Sequence, residues 1–191
     1  MKNYDLVTTE RAEGSLRDLQ VAQGTSLQNV FYYNVEKLLI LDTSGSMDQI
    51  DFGYTTTRHD RADEQLRNIQ KEFPGKVGLI EFSSEVYFRP DGIPWRLNGG
   101  TELNKALKFV KPVDGTGIDL IVISDGDPFY PQECLRLARE FTSKIHTIFI
   151  GGENDSGRDF LKKLSDLSGG TYQYDGAGIM EAPVKRLMKG A

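Results

Sequence analysis

Cysteine occurs once in this chain, at Cys134. A single thiol cannot close an intramolecular disulfide, which excludes a small oxidised scaffold, and it cannot supply a zinc centre built from several thiolates. Cys134 lies between Glu133 and Leu135 in an expected helix, where a packed, inert thiol is the plain reading. Histidine is almost as scarce: His59 and His146 are far apart, and neither has an acid–base partner visible in the sequence. No apolar run approaches the roughly 20 residues of a membrane helix. The start, Met1-Lys2-Asn3-Tyr4-Asp5-Leu6, carries no apolar stretch of signal-peptide kind, so the expectation is a cytoplasmic protein with no membrane contact. Basic residues are also short, 23 against 28 acidic, and a net charge of -5 argues against the basic footprint that non-specific nucleic-acid binding needs. No Gly-x-x-x-x-Gly-Lys-Ser/Thr loop is present, so the chain is not itself a P-loop ATPase.

What remains is an ordinary soluble composition. A chain of 191 residues with 38% hydrophobic content is long enough for one domain with a full core. Residues 1–34 read as an N-terminal extension. A helix over 10–23 is interrupted by Gly14 and ended by Gly24, and Phe31, Tyr32 and Tyr33 are apolar enough to dock on the body. The extension either packs on the domain or serves as an arm for another chain.

Residues 35–191 show a regular pattern. Strand signals fall at Lys37–Asp42, Val77–Phe82, Val86–Phe88, 120–124, 146–150 and 171–174, with helical signals at 61–73, Leu103–Val110, 132–141, 158–167 and 178–188. Strands alternating with helices predict parallel pairing through right-handed crossovers, hence an α/β, doubly wound, three-layer Rossmann-like fold with a mostly parallel central sheet. The apolar runs Leu38–Leu41 and Leu120–Ile123 suit central strands buried on both faces. Ser83-Ser84 is too short for a crossover, so Val86–Phe88 is predicted as an antiparallel edge strand, and Pro90 fits that edge. The longest polar loop inside the body, 48–60, holds Asp48, Asp51, Gly53 and Thr55-Thr56-Thr57. Asp48 and Asp51 are read there as solvated acids rather than as an accessory cation site.

The richest stretch is Leu38-Leu39-Ile40-Leu41-Asp42-Thr43-Ser44-Gly45-Ser46-Met47. An apolar strand ends in a carboxylate, and two hydroxyls follow at alternate positions. Oxygen-only donors suit a hard cation such as Mg²⁺. Matching oxygens occur later, at Thr101 in Gly99-Gly100-Thr101, where the threonine is expected to cap a helix, and at Asp125 in Ser124-Asp125-Gly126. Ligands of open α/β sheets bind at the carboxyl ends of strands, which is where these loops should meet. Asp127, followed by Pro128, reads as a turn residue.

These three segments resemble the von Willebrand factor type A domain, whose integrin relatives are the I domains. The hallmark of that family is the metal-ion-dependent adhesion site: Asp-x-Ser-x-Ser, then a Thr, then an Asp. The resemblance covers about residues 35–189, and Asp42, Ser44, Ser46, Thr101 and Asp125 all match. It implies that Ser44, Ser46 and Thr101 hold a divalent ion, Mg²⁺ with Mn²⁺ or Ca²⁺ as alternatives. Asp42 and Asp125 would act directly or through water. The function implied is a metal-dependent adaptor that binds an Asp or Glu of a protein partner, with ring-forming ATPase systems among the partners of intracellular family members.

Two other functions stand beside it. A structural subunit could carry a silent metal site and bind through residues 1–34 or the edge strand. A Mg²⁺-dependent phosphatase of haloacid-dehalogenase type would use Asp42 as nucleophile, but Ser44 stands where its second aspartate is needed, and a hydroxyl is a poor general acid at neutral pH. The expectation is therefore a non-enzymatic protein.

Overall fold

The computed structural model describes residues 10–152 and 155–174. Six strands form one sheet in the order β3-β2-β1-β4-β5-β6. They are β1 Lys37–Asp42, β2 Val77–Phe82, β3 Val86–Phe88, β4 Asp119–Ser124, β5 Ile145–Phe149 and β6 Tyr172–Tyr174. All neighbours run parallel except β2 and β3, which pair antiparallel with Phe82 opposite Val86. The fold is the doubly wound, mostly parallel α/β architecture that the alternating pattern predicts. Strand order reverses between β1 and β4, and the crevice of such sheets opens at the carboxyl ends of that pair.

Six helices are described: α1 Leu16–Gln23, α2 Leu27–Asn34, α3 Arg58–Glu72, α4 Leu103–Val110, α5 Pro131–Ala138 and α6 Gly157–Ser168. Each face of the sheet has its own apolar layer. Leu38, Ile40, Phe82 and Val122 pack with Leu16, Val30, Leu107, Cys134 and Leu161, so α1, α2, α4, α5 and α6 lie on that side. Leu39, Leu41, Leu79 and Ile123 face α3 through Ala62, Leu66 and Ile69, whose spacing makes one helical stripe. Burial pushes the Cys134 thiol up to about 12, which keeps it inert.

Several expectations are refined. Gly14 has φ +77, and a Cβ there would lie 1.9 Å from the Gln70 carbonyl oxygen, so the chain before α1 is pressed against α3. Helix α1 therefore begins only at Leu16, capped by Ser15. Phe31 docks against the core, edge-on to Phe88, whereas Tyr32 and Tyr33 are exposed. Helix α3 starts three residues earlier than its apolar stripe suggests, because Thr57 and Asp60 form a reciprocal capping box. The helix expected at 178–188 lies outside the described residues. No described helix is long and apolar enough to cross a membrane.

Candidate metal centre

Asp42 is the last residue of β1 and is fully buried. Its Oδ1 accepts the Ser44 N–H at 2.9 Å, which folds the chain back into a short 3-10 turn, Gly45–Asp48. The same turn brings Ser44 Oγ within 3.2 Å of Ser46 Oγ. Asp42 Oδ2 accepts the Ser124 hydroxyl at 2.6 Å, and Ser124 Oγ in turn accepts the Gly126 N–H at 2.9 Å. Ser124 thus locks the first acidic loop to the third. No local motif marks it beyond its place at a strand end beside an aspartate.

Backbone bonds draw in the middle loop. Gly45 N–H donates to the Gly99 carbonyl at 3.0 Å, and Asn98 N–H donates to the Thr43 carbonyl at 2.9 Å. Asn98 adopts φ 59, a left-handed conformation that asparagine tolerates better than most residues. A Cβ on Gly45 would approach Asn98 Oδ1 to 2.7 Å, so a larger residue there would push the Asn98 side chain aside. Phe129 N–H donates to the Thr101 carbonyl at 3.1 Å, joining the middle loop to the third. Thr101 is not the cap of α4: that position is Glu102, and no side chain caps the helix. The Thr101 side chain is buried at the junction, and its hydroxyl makes no hydrogen bond among the described residues.

Asp125 follows β4 directly and is also buried. Its Oδ2 accepts Arg58 Nη1 at 3.0 Å, while its Oδ1 is buried with no hydrogen-bond partner. Burial, reinforced by the neighbouring Asp125 carboxylate, pushes the Asp42 carboxyl well above the usual range. Arg58 is a neighbour of the candidate site that the sequence alone does not reveal. Asp51 is not a solvated acid: it takes Arg58 through both oxygens and Arg61 Nη2 at 2.5 Å, with its side chain 8% exposed. Burial alone would raise Asp51, but the two guanidiniums override it and hold the carboxyl below its ordinary value. Asp48 by contrast is exposed, 3.8 Å from His59 Nε2. His146 is structural, with Nδ1 3.0 Å from Thr171 Oγ1.

The donor set can be tested against a cation. Two buried carboxylates at one strand junction repel each other, one of their oxygens lacks any partner, and three hydroxyls lie in the loops tied to them. That is a hard, oxygen-only set with an unmet need for positive charge, and it fits a divalent ion such as Mg²⁺. Among the described residues no group of three or more His, Cys, Asp or Glu is placed to hold a metal. Ile50, Phe52, Phe129 and Tyr130 stand exposed on the loops that carry it, while Tyr54 packs beneath the Arg61 guanidinium, 4.0 Å from its ring centre.

The architecture is the von Willebrand factor type A fold. A solved structure described as von Willebrand factor type A from Catenulispora acidiphila superposes with a TM-score of 0.57 at 18% identity, covering 81% of this chain and 42% of that one. In sequence the chain is similar to calcium-activated chloride channel regulator 1 of Bos taurus, 27% identical over 157 residues, and to calcium-activated chloride channel regulator 3A-1 of Mus musculus, 26% identical over 157 residues. Each match covers 71% of this chain, which spans 17% of the length of those relatives. No family model matches.

Proposed function

We propose that this chain is a metal-dependent protein-interaction module rather than an enzyme. The observation that carries the reading is the buried, partnerless Oδ1 of Asp125 beside a second buried carboxylate, Asp42, at the switch point of the sheet. Ser44, Ser46 and Thr101 would hold the ion through their hydroxyls, with Asp42 and Asp125 supplying charge directly or through water. A divalent cation bound there supplies an open coordination position for a carboxylate of a protein partner. Two aspartates offset such an ion, so the site would not repel an incoming Asp or Glu. The exposed Phe52, Phe129 and Tyr130 surround it with the aromatic surface that interface cores favour. Both relatives are named as calcium-activated chloride channel regulators, in keeping with this reading. A cytoplasmic setting and a ring-forming ATPase system as partner belong to the same proposal.

Calorimetric titration with Mg²⁺ or Mn²⁺ tests it. One site is expected, weakened about tenfold or more by Ser46→Ala or Thr101→Ala, the scale of losing one ligand. Capture of partners should succeed in Mg²⁺, fail in chelator and fail for Asp42→Ala. A folded protein that binds neither ion sinks the metal reading. Capture indifferent to chelator and to Asp42→Ala would instead mark a structural subunit with a silent site.

A further inference from the structure

We propose that Arg58 is a tethered countercharge of the metal site, a positioning residue that neutralises Asp125 while no cation is bound and restricts that aspartate to one oxygen for the ion. The inference rests on the metal reading above and concerns a residue outside the five candidate ligands.

Arg58 is the first residue of α3 and is 5% exposed. Its guanidinium spends its donors on carboxylates from three different loops. Nε donates to the Asp51 oxygens at 3.0 and 3.1 Å, and Nη2 reaches Asp51 Oδ1 at 2.6 Å. Nη1 donates to Asp125 Oδ2 at 3.0 Å, and Nη2 also reaches Asp155 Oδ2 at 2.9 Å. The planar fork is suited to this, since it can satisfy several carboxylates in fixed directions. Asp125 is thereby oriented: Oδ2 is committed to Arg58 and Oδ1 is left buried and unpaired. A lysine could match the charge but not the geometry.

The charges around the guanidinium give the arrangement a second meaning. Asp51, Asp125 and Asp155 stand against Arg58 and Arg61, three carboxylates to two guanidiniums, so the cluster keeps an excess of acid beside the buried Asp42. Without Arg58, Asp51 would keep only Arg61, and Asp125 would be buried with neither oxygen paired. Leaving buried charges uncompensated is strongly destabilising. Arg58 therefore lets the loops keep their shape in the cation-free protein, and its positive charge limits how strongly the site draws an ion. Both effects belong to one cycle: whatever stabilises the cation-free state more than the cation-bound one weakens binding by that difference.

An ordinary structural ion pair would stabilise the cation-bound and cation-free protein equally, and this difference is measurable. Thermal unfolding of the full chain is followed in chelator and in excess Mg²⁺, with Mn²⁺ binding measured by the loss of the free-ion paramagnetic resonance signal. Arg58→Met should lose more melting temperature in chelator than in Mg²⁺, so that its Mg²⁺-induced shift is at least about twice that of the wild type. Arg58→Lys should fall between them. Asp155→Asn removes a half-exposed partner of Arg58, leaves its charge less compensated and should weaken Mn²⁺ binding about threefold. Equal destabilisation of Arg58→Met in chelator and in Mg²⁺ overturns the assignment. If Arg58→Met folds only with Mg²⁺ present, the assignment is supported. If it folds in neither, Asp155→Asn decides, and unchanged Mn²⁺ affinity counts against the proposal. A wild type that binds no Mn²⁺ defeats the metal reading and this one together, whereas normal wild-type binding with an unaltered Mg²⁺ shift in Arg58→Met defeats the Arg58 assignment alone.

Discussion

Single residues in this molecule are governed by where carboxylates are buried and what neutralises them. Asp42, Asp125 and Asp51 surround the candidate site; Glu81 is a separate case inside β2. It is fully buried, with Oε2 accepting the Trp95 N–H at 2.7 Å and Oε1 making no hydrogen bond but lying 4.0 Å from Arg89 Nε. Burial pushes its carboxyl from 4.5 up to about 7. A carboxyl raised on folding contributes its full stability below the unfolded value and loses it as pH rises through the folded one, here between about 4.5 and about 7. Melting temperature measured across that window should fall more steeply in the wild type than in Glu81→Gln, by roughly 5 °C over the interval. Parallel profiles would show that Glu81 does not titrate this way. The five candidate ligands were legible in the sequence because hydroxyl and carboxylate spacing on a strand end is a local signal. Arg58 was not, since its carboxylate partners include residues 67 and 97 positions away.

Elements were readable in proportion to how apolar they are. The buried strands β1 and β2 and the strongly one-sided helix α4 announce their own limits, because continuous or periodic apolar residues stop where burial stops. The start of α3 hides behind Arg58, His59 and Asp60, none of them apolar, and is set instead by the cap. Thr57 Oγ1 accepts the Asp60 N–H at 3.0 Å, and Asp60 Oδ2 accepts the Thr57 N–H at 3.1 Å. Helix α2 is missed because Val30, Phe31, Tyr32 and Tyr33 follow one another instead of recurring at helical spacing, and Tyr32 and Tyr33 are exposed. Thr57→Ala should cost about 1 kcal/mol, read as a lower urea midpoint with an unchanged slope. A midpoint equal to that of the wild type would mean that the first turn of α3 is held by Arg58 and its carboxylates rather than by its cap.

At the scale of the whole molecule, sheet order makes the candidate site. Strands alternating with helices predict the doubly wound topology, and the reversal between β1 and β4 sets Asp42 beside Asp125 without any continuous motif. That juxtaposition has a kinetic side. The Ser124–Asp42 hydrogen bond spans 82 positions, so the first loop acquires its partner only after β4 has been added to the sheet. During synthesis the first half of the chain lacks the partner of Asp42 that the finished fold supplies. A cation that recognises only the completed junction stabilises the native state and not the half-formed one, so it acts on escape from the fold and not on entry to it. Stopped-flow measurements should accordingly show Mg²⁺ slowing unfolding several-fold while the refolding rate stays constant, and acceleration of refolding would mean that the loops meet before the strands do. In a cell, such a protein would mature at a pace indifferent to the supply of divalent metal, and its lifetime once made would depend on that supply.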